Sequence, residues 1–370
     1  MEIVKEREIK GIYQAHDAQK FHGAHYTPNN LAQFVASRIL EQYQGVLPGT
    51  CRIFDPAVGD GELLFALTEL LLSRAVARVE IFGFDIDSNA VRSAKDKLAS
   101  FGKVVRLEIL EKDYTEEAAD SDLLNQSKFN QKFDFIIANP PYVRTQSLGA
   151  KNSSKLSTEF MLEGRIDLYY VFLIGISKFM HESTVAGFIV SNRFMSTKSG
   201  VAVRKGLAEA YSIGEVWDLG DTKLFEAAVL PAVLVFKKKQ STFDETRFVS
   251  IYSFKTLGKE KPAKSVFDAI LRGSGSYAIN NDSYFEVKSG QLQKSADPGE
   301  VWRVSNKETD SWISQVAQFT EITFRQIGKV RVGVKTTADK VFLLKDWSSL
   351  PSHLIPENEV LKPLITHHSA

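Results

Sequence analysis

Asn139-Pro140-Pro141-Tyr142 is the stretch of this chain whose residue types and order lend themselves to chemistry. It directly follows Phe133-Asp134-Phe135-Ile136-Ile137-Ala138, a short and almost wholly apolar run that reads as a strand buried on both faces of a parallel sheet. Two successive prolines remove two backbone donors and fix φ, so the chain leaves the sheet in a stiff, extended turn with Asn139 at its lip. The Pro140 carbonyl remains as an acceptor. An amide, a carbonyl and the Tyr142 ring are thereby presented together at the carboxyl end of a central strand, where open α/β sheets bind ligands. A planar amino group suits that set. The Asn139 side-chain oxygen and the Pro140 carbonyl each accept one of its N–H bonds, and Tyr142 stacks on the ring that bears it. Held this way, the nitrogen turns electron density from ring conjugation toward a lone pair aimed at an electrophile, with no reorganisation left for the transition state.

The elements that must position this corner lie mostly upstream. A strand over 51–54 leads into Asp55-Pro56-Ala57-Val58-Gly59-Asp60-Gly61 and a helix over 62–74. Gly59 and Gly61 allow a tight turn and a close backbone approach at a helix N-terminus. A dinucleotide fingerprint needs a third glycine at 64, where this chain has Leu64. Asp55, at the strand end, suits a cation better than a phosphate. A second strand, over 79–84, ends at Asp85-Ile86-Asp87 before a helix over 88–100. Asp85 stands 24 residues beyond Gly61, near the ~20-residue offset at which an acid reaches ribose hydroxyls. Asp87 reads as the cap of the following helix. A third strand, over 104–110, ends near Asp113-Tyr114, where a carboxylate can accept from an adenine amino group. Three strands with acids at their tips, followed by the Asn-Pro-Pro-Tyr strand, make half of a doubly wound sheet. The implied ligand carries an adenine, a ribose and a positive centre but no phosphate. S-adenosylmethionine fits.

Upstream of these units, Tyr26-Thr27-Pro28 precedes an amphipathic helix over 30–42. Downstream, residues 143–165 read as a long polar loop beside the site, and 168–180 as an aromatic-rich helix. A strand over 186–191 then delivers Arg193 and Phe194 to the rim, where Phe194 is either a partner for a base or an ordinary buried phenylalanine. After a helix over 201–211, strands over 214–219 and 229–236 are joined by a connection too short for a crossover helix, so they should be antiparallel. Lys237-Lys238-Lys239 marks a shift in composition and the expected domain boundary, after 240. Beyond it, the valine–glycine alternation of 328–340 suggests a hairpin carrying Lys335 and Thr336 toward phosphates and base edges.

Bulk properties narrow the class. The 370 residues are 44% hydrophobic and 25% charged with a net charge of +1, an ordinary globular composition in which any nucleic-acid surface comes from local clustering. A single cysteine, Cys51, rules out an internal disulfide framework and a cysteine-built metal site, and no metal is expected. No apolar run approaches the ~20 residues of a membrane span, and the charged N-terminus lacks a signal-peptide core, so a cytoplasmic location is expected.

Taken in order, Tyr26-Thr27-Pro28, Asp55-Pro56-Ala57-x-Gly59-x-Gly61, Asp85, Asp113-Tyr114 and Asn139-Pro140-Pro141-Tyr142 resemble the gamma class (TaqI-like) of N6-adenine DNA methyltransferases of bacterial and archaeal restriction-modification systems. The resemblance covers roughly residues 23–240, and the segment 331–342 looks like the opening of that family's target-recognition domain. It implies an α/β fold with a doubly wound, mostly parallel seven-stranded sheet whose last strand is antiparallel. It further implies an S-adenosylmethionine-dependent domain over 1–240 and an incomplete DNA-binding domain over 241–370. By the same resemblance Thr27, Asp55, Ala57 and Gly59 line the methionine part of the cofactor, with Tyr26, Gly61 and Asn139 beside it. Asp85 holds the ribose, Ile86 packs on the adenine, and Asp113, next to Tyr114, holds the adenine amino group. Asn139 and Pro140 grip the target amino group of a flipped adenine in double-stranded DNA, Pro141 stiffens the turn, and Tyr142 stacks. The expected partners are double-stranded DNA and a restriction endonuclease, separate or fused. One departure stands out: some members carry an aromatic where this chain has Ser199-Gly200. The same tetrapeptide also occurs in methyltransferases of protein glutamine or RNA, which is the alternative reading, and N4-cytosine remains a possible target amine. A nicotinamide dehydrogenase accounts for the glycines and Asp85 but not for Leu64 or the two prolines.

Overall fold

The computed structural model describes residues 27–119, 132–143, 150–160, 162, 167–225, 230–239, 245–255, 258–279, 283–293, 297–305, 307–328, 346, 351–357, 359 and 361. In chain order the first half runs α1 (Asn29–Gln42), β1 (Thr50–Asp55), α2 (Glu62–Ser73), β2 (Arg78–Asp85), α3 (Ser88–Leu98), β3 (Val105–Glu111), α4 (Tyr114–Ala119) and β4 (Phe133–Ala138). It continues with α5 (Ala150–Glu159), α6 (Tyr169–Gly175), β5 (Met180–Ser191), α7 (Val201–Ala210), β6 (Tyr211–Asp218) and β7 (Pro231–Lys238).

These strands lie in the order β3-β2-β1-β4-β5-β7-β6. β1, β2, β3, β4 and β5 pair in parallel, and β7 is antiparallel to both of its neighbours, β5 and β6. The mostly parallel sheet with one reversed strand is therefore present as expected. Its near-continuous apolar strands follow from burial on both faces. On β4, Phe135 and Ile137 join the core beneath α1, α2 and α3, while Phe133, Ile136 and Ala138 join the core beneath α4, α5, α6 and α7. Phe54 fixes the second core by stacking on Phe133 at 4.8 Å and on Phe179 at 5.1 Å.

The sheet does not end at the lysine run. β8 (Arg247–Ser253) adds in parallel beside β6. The sheet then continues through β9 (Lys261–Ala263), β10 (Gly275–Ile279), β11 (Ser283–Leu292) and the two-residue β12 (Val304–Ser305), with α8 (Val266–Arg272) covering one face. Phe248, Val249 and Ile251 are buried, so the hydrophobic surface passes straight across the expected boundary after 240. The compact unit extends to Asp310, and a second unit spans Ser311–Ala370. α9 (Lys307–Gln318) straddles that limit, and α10 (Phe324–Ile327) follows.

Two local expectations are corrected. The loop expected over 143–165 contains α5, which is held because Leu156, Phe160 and Leu162 bury in the second core. The helix expected over 168–180 stops at Gly175 and tightens into a 3-10 turn over Ile176–Phe179. Chain from Met180 onward is taken by β5, whose pairing with β4 begins at Phe133↔Met180. Residues 168–176 lack a polar face, so periodicity alone could not mark where helix gives way to strand.

Candidate active site

Parallel pairing sets the carboxyl ends of β1, β2, β3, β4 and β5 along one edge of the sheet. Asp55, Asp85, Asp113 and Asn139 therefore come to that edge from four separate strand exits. The glycine-bearing loop after β1 is built by backbone geometry. Gly59 and Gly61 both have positive φ, and Gly61, in the left-handed region, starts α2. A Cβ at Gly61 would sit 3.0 Å from the Ala94 Cβ, so the loop also needs a residue without a side chain for contact with α3. The Val58 amide donates to the Phe84 carbonyl at 2.9 Å, and the Gly59 amide donates to Asp85 Oδ2 at 2.8 Å. The loop is thereby tied to β2.

Asp55 is wholly buried. Its Oδ1 accepts from the Ala57 amide at 2.8 Å, and its Oδ2 has no hydrogen-bond partner among the described residues. Burial pushes this carboxyl well above the usual carboxylate range, the Ala57 amide opposes the shift, and the charges of Asp85 and Asp60 add to it. A buried carboxylate oxygen left unmatched costs about 1–3 kcal/mol or more. That is the condition of a group whose partner arrives with a ligand. Asp85 is more fully engaged, accepting from Gly59 and, through Oδ1, from the Asp87 amide at 2.9 Å. Burial again raises its pKa, partly offset by those amides. Ile86 leaves 53% of its surface exposed at the same edge, an apolar platform next to the acid. Asp87 caps α3 as expected, accepting from the Asn89 amide at 2.8 Å.

Asp113 Oδ1 accepts from both the amide and the hydroxyl of Thr115, at 2.8 and 2.7 Å, and so caps α4. Tyr114 is corrected. It is 1% exposed, stacks on Phe172 with centroids 4.6 Å apart, and belongs to the core rather than to the edge. For Phe194 the buried alternative holds. It is fully buried, edge to face with Trp302, and has no face to offer a base. The Phe194 backbone also accounts for the glycine at 200, because a Cβ there would lie 2.1 Å from the Phe194 carbonyl oxygen. No aromatic fits there. Arg193 is exposed, immediately beyond the β5 terminus. Tyr26, Lys335, Thr336 and the hairpin expected over 328–340, apart from Gly328, lie outside the described residues.

Asn139 sits between two hydroxyls. Its Nδ2 donates to Thr27 Oγ1 at 3.0 Å, and its Oδ1 accepts from the Tyr142 hydroxyl at 2.9 Å. The two contacts fix the amide's orientation, with the oxygen toward the tyrosine. The Tyr142 ring is half-buried and meets Tyr169 edge to face at 6.1 Å, which holds it upright beside the amide. Among the described residues no backbone donor reaches the Pro140 carbonyl.

The residue types alone did not reveal two further sets of polar contacts. Asn29 Nδ2 donates to Glu62 Oε1 at 2.7 Å, joining the first turns of α1 and α2. Farther along the edge, Asp218 accepts from Asn192 Nδ2 and from the Tyr252 hydroxyl, both at 2.8 Å. These partners are 33, 26 and 34 residues apart; packing of α1 on α2 brings the first pair together and the pairing of the sheet brings the other two.

Known proteins resemble this chain in sequence and in fold. Residues 79–225 match the model of the Eco57I restriction-modification methylase family. The chain is 35% identical over 372 residues to the type II methyltransferase M.BanIII of Aneurinibacillus aneurinilyticus, covering 95% of this chain and 63% of that protein. It is 24% identical to the type II methyltransferase M.BstVI of Geobacillus stearothermophilus, covering 94% of this chain and again 63% of the relative. The chain thus spans less than two thirds of either relative's length. Among solved structures, a Listeria monocytogenes protein assigned to the class I S-adenosylmethionine-dependent methyltransferases superposes with a TM-score of 0.51 at 20% identity, covering 71% of this chain and 73% of that one. That likeness shows the fold. The resemblance to restriction-modification methyltransferases expected from the motifs holds.

Proposed function

We propose that this chain, a relative of the DNA methyltransferases of restriction-modification systems, carries a methyl group from S-adenosylmethionine to the N6 amino group of an adenine flipped out of double-stranded DNA. The observation that carries this reading is the Asn139 amide, clamped between the Thr27 and Tyr142 hydroxyls one residue past β4, on the edge that also bears the unmatched Asp55 oxygen. The residues present fit the cofactor. Its cationic methionine end suits Asp55, its ribose suits the Asp85 carboxylate, and its adenine suits the exposed Ile86 surface with Asp113 beside it. When bound, it supplies an electrophilic methyl group on a sulfonium.

The chain's own residues do the rest. An N6 inside the stack is out of reach, so the base must leave the helix. Tyr142 gives it a face to stack on, and the Asn139 oxygen and Pro140 carbonyl accept its two N–H bonds. With both hydrogens held, the nitrogen lone pair forms the new N–C bond as the S–C bond breaks. The electron pair of the broken bond stays on sulfur, leaving a neutral thioether, and the surplus N6 proton passes to solvent. No covalent enzyme intermediate is required, and Cys51, buried in β1, is not placed to form one. The Tyr142 hydroxyl already donates to the Asn139 oxygen, so the incoming amine takes up a second acceptor site on that oxygen or displaces the phenol.

Digestion and mass spectrometry of DNA from cells expressing the chain tests the reading. N6-methyladenine in a fixed sequence context is expected. N4-methylcytosine would correct the target base, and methyl label on release-factor glutamine or ribosomal RNA but not on DNA would overturn the reading. In Asn139→Ala, turnover should fall roughly 10³-fold, the scale of losing a preorganised polar group, with cofactor binding retained. Undiminished methylation in that variant would reject the role given to Asn139.

A further inference from the structure

Glu62 is the first residue of α2, directly after the glycine-bearing loop, and its two oxygens go separate ways. Oε2 accepts from Lys97 Nζ of α3 at 2.7 Å, while Lys97 also donates to Asp60 Oδ2 at 2.8 Å. Oε1 accepts from Asn29 Nδ2 at 2.7 Å, at the first residue of α1. The N-terminus of α1 has no capping side chain, since Pro28 occupies the cap position. Within this network the Glu62 carboxylate is the contact that ties the first turn of α1 to the cofactor loop. Only Pro28 separates Asn29 from Thr27, and Thr27 Oγ1 is the atom that accepts from the Asn139 amide. The proline fixes φ at that step, so a displacement at Asn29 passes to Thr27 with little slack.

Charge supports the geometry. Burial pushes the Glu62 carboxyl up, but hydrogen bonds from Lys97 and Asn29 and the charge of Lys97 outweigh it and hold the group below its usual range. Burial lowers the Lys97 pKa, yet Asp60 and Glu62 more than reverse that, so the ammonium is firmly charged. Neither Glu62 nor Lys97 has a place in the methyl transfer itself.

We infer that Glu62 is a positioning residue coupling the cofactor loop to the catalytic amide: through Asn29 it sets the Thr27 hydroxyl, and through that hydroxyl the orientation of Asn139. The inference rests on the function proposed above and deepens it. Cofactor seated on the Asp55–Gly61 loop then presets the group that receives the target amine, 112 residues from Thr27 in sequence.

A reversal of donor and acceptor tests the coupling. Asn29→Asp sets two carboxylates against each other and breaks the link, whereas Asn29→Asp combined with Glu62→Gln restores a hydrogen bond of opposite polarity. The rate of DNA methylation at saturating cofactor should drop roughly tenfold in the single variant, as a small misplacement of a catalytic group does, and recover in the double. Cofactor affinity by calorimetry should change much less than the rate. Amide hydrogen exchange on the protein without ligands gives a readout independent of activity. Exchange at the Asn139, Tyr142 and Val143 amides should accelerate in Asn29→Asp and return in the double variant, Pro140 and Pro141 having no amide hydrogen. Unchanged exchange there, or a rate and an affinity that fall together without rescue, would overturn the coupling. If exchange responds as expected but the unmodified chain methylates no DNA, the coupling stands and the functional reading falls.

Discussion

Two buried acids on the same edge of the sheet have opposite fates. Asp218, at the carboxyl end of β6, is saturated by the protein: Asn192 Nδ2 and the Tyr252 hydroxyl each donate to it at 2.8 Å, and the Gly220 amide donates at 3.2 Å. Asp55, at the carboxyl end of β1, has one backbone donor and an oxygen with no partner among the described residues. Burial raises the pKa of both carboxyls, and three donors resist the shift at Asp218 where one does at Asp55. On the proposed function, the contrast separates an acid that serves the fold from one that serves a ligand. A stable protein matches its buried polar groups internally, and the exception marks the position where matching is left to a binding partner. Asp218 links the ends of β5, β6 and β8. Among the described residues the Asp55 carboxyl bonds to no other strand.

Reciprocal substitutions sharpen this division. Asp55→Asn should weaken S-adenosylmethionine binding about 100-fold, or about 3 kcal/mol, the upper range for losing a contact with a charged partner. Its melting temperature without cofactor should stay level or rise, because a buried charge with an unmatched oxygen has been removed. Calorimetry and thermal unfolding read the two quantities separately. Lost stability with intact cofactor binding would invert the assignment. Asp218→Ala should do the reverse and cost about 2 kcal/mol of unfolding free energy, since it leaves the Asn192 amide and the Tyr252 hydroxyl without their shared acceptor. Cofactor affinity should remain within a factor of about three, a margin below 1 kcal/mol. A collapse of cofactor binding in Asp218→Ala would erase the distinction between the two acids.

The Asp55 side of this comparison was legible in the sequence and the Asp218 side was not. Asp55, Asp85 and Asn139 each end a short apolar run, so pattern and position together announced them at the strand tips. The doubly wound sheet and its antiparallel last strand were also expected from the acids and the connection lengths, whereas the order of the strands came only from their pairing. Asp218 also ends an apolar run, but its meaning lies in Tyr252, brought beside it by the β6–β8 pairing, and in Asn192, brought there through the β5–β7 and β7–β6 pairings. Sequence spacing carries no trace of that. Tyr114 misled, and Phe194 stayed open, for a related reason. Each follows a strand and looks presentable from the chain, yet each turns inward because Trp302 and Phe172 wait there. An aromatic beside a strand end has no alternating neighbours to show which way it faces. The boundary expected after 240 was misplaced on similar grounds, since a lysine run reads as a linker although Lys237 itself is buried within β7.

The smallest expected effect is a dependence on pH, and it tests the same asymmetry in the protein without substitution. Asp55, Asp85 and Asp218 all have folded-state pKa values raised above the ordinary aspartate value of 3.8. A raised acid holds its proton more tightly in the folded state than in the unfolded state. Its contribution to stability is complete below 3.8 and is lost as pH climbs through the raised folded value. Without cofactor, the melting temperature should therefore decline as pH rises above the ordinary carboxylate range. A cationic ligand binds the ionised form of Asp55, so the increment in melting temperature produced by S-adenosylmethionine should grow over that same interval. Asp85 and Asp218 contribute to the decline in the free protein, but of these three acids Asp55 has the oxygen without a partner among the described residues, the one that meets the cation on the proposed function. The growth of the increment with pH should accordingly vanish in Asp55→Asn and persist in Asp218→Ala. An increment that stays flat with pH in the unsubstituted protein would mean that Asp55 binds the ligand as a neutral carboxylic acid, and the contrast with Asp218 would then be one of packing rather than of charge.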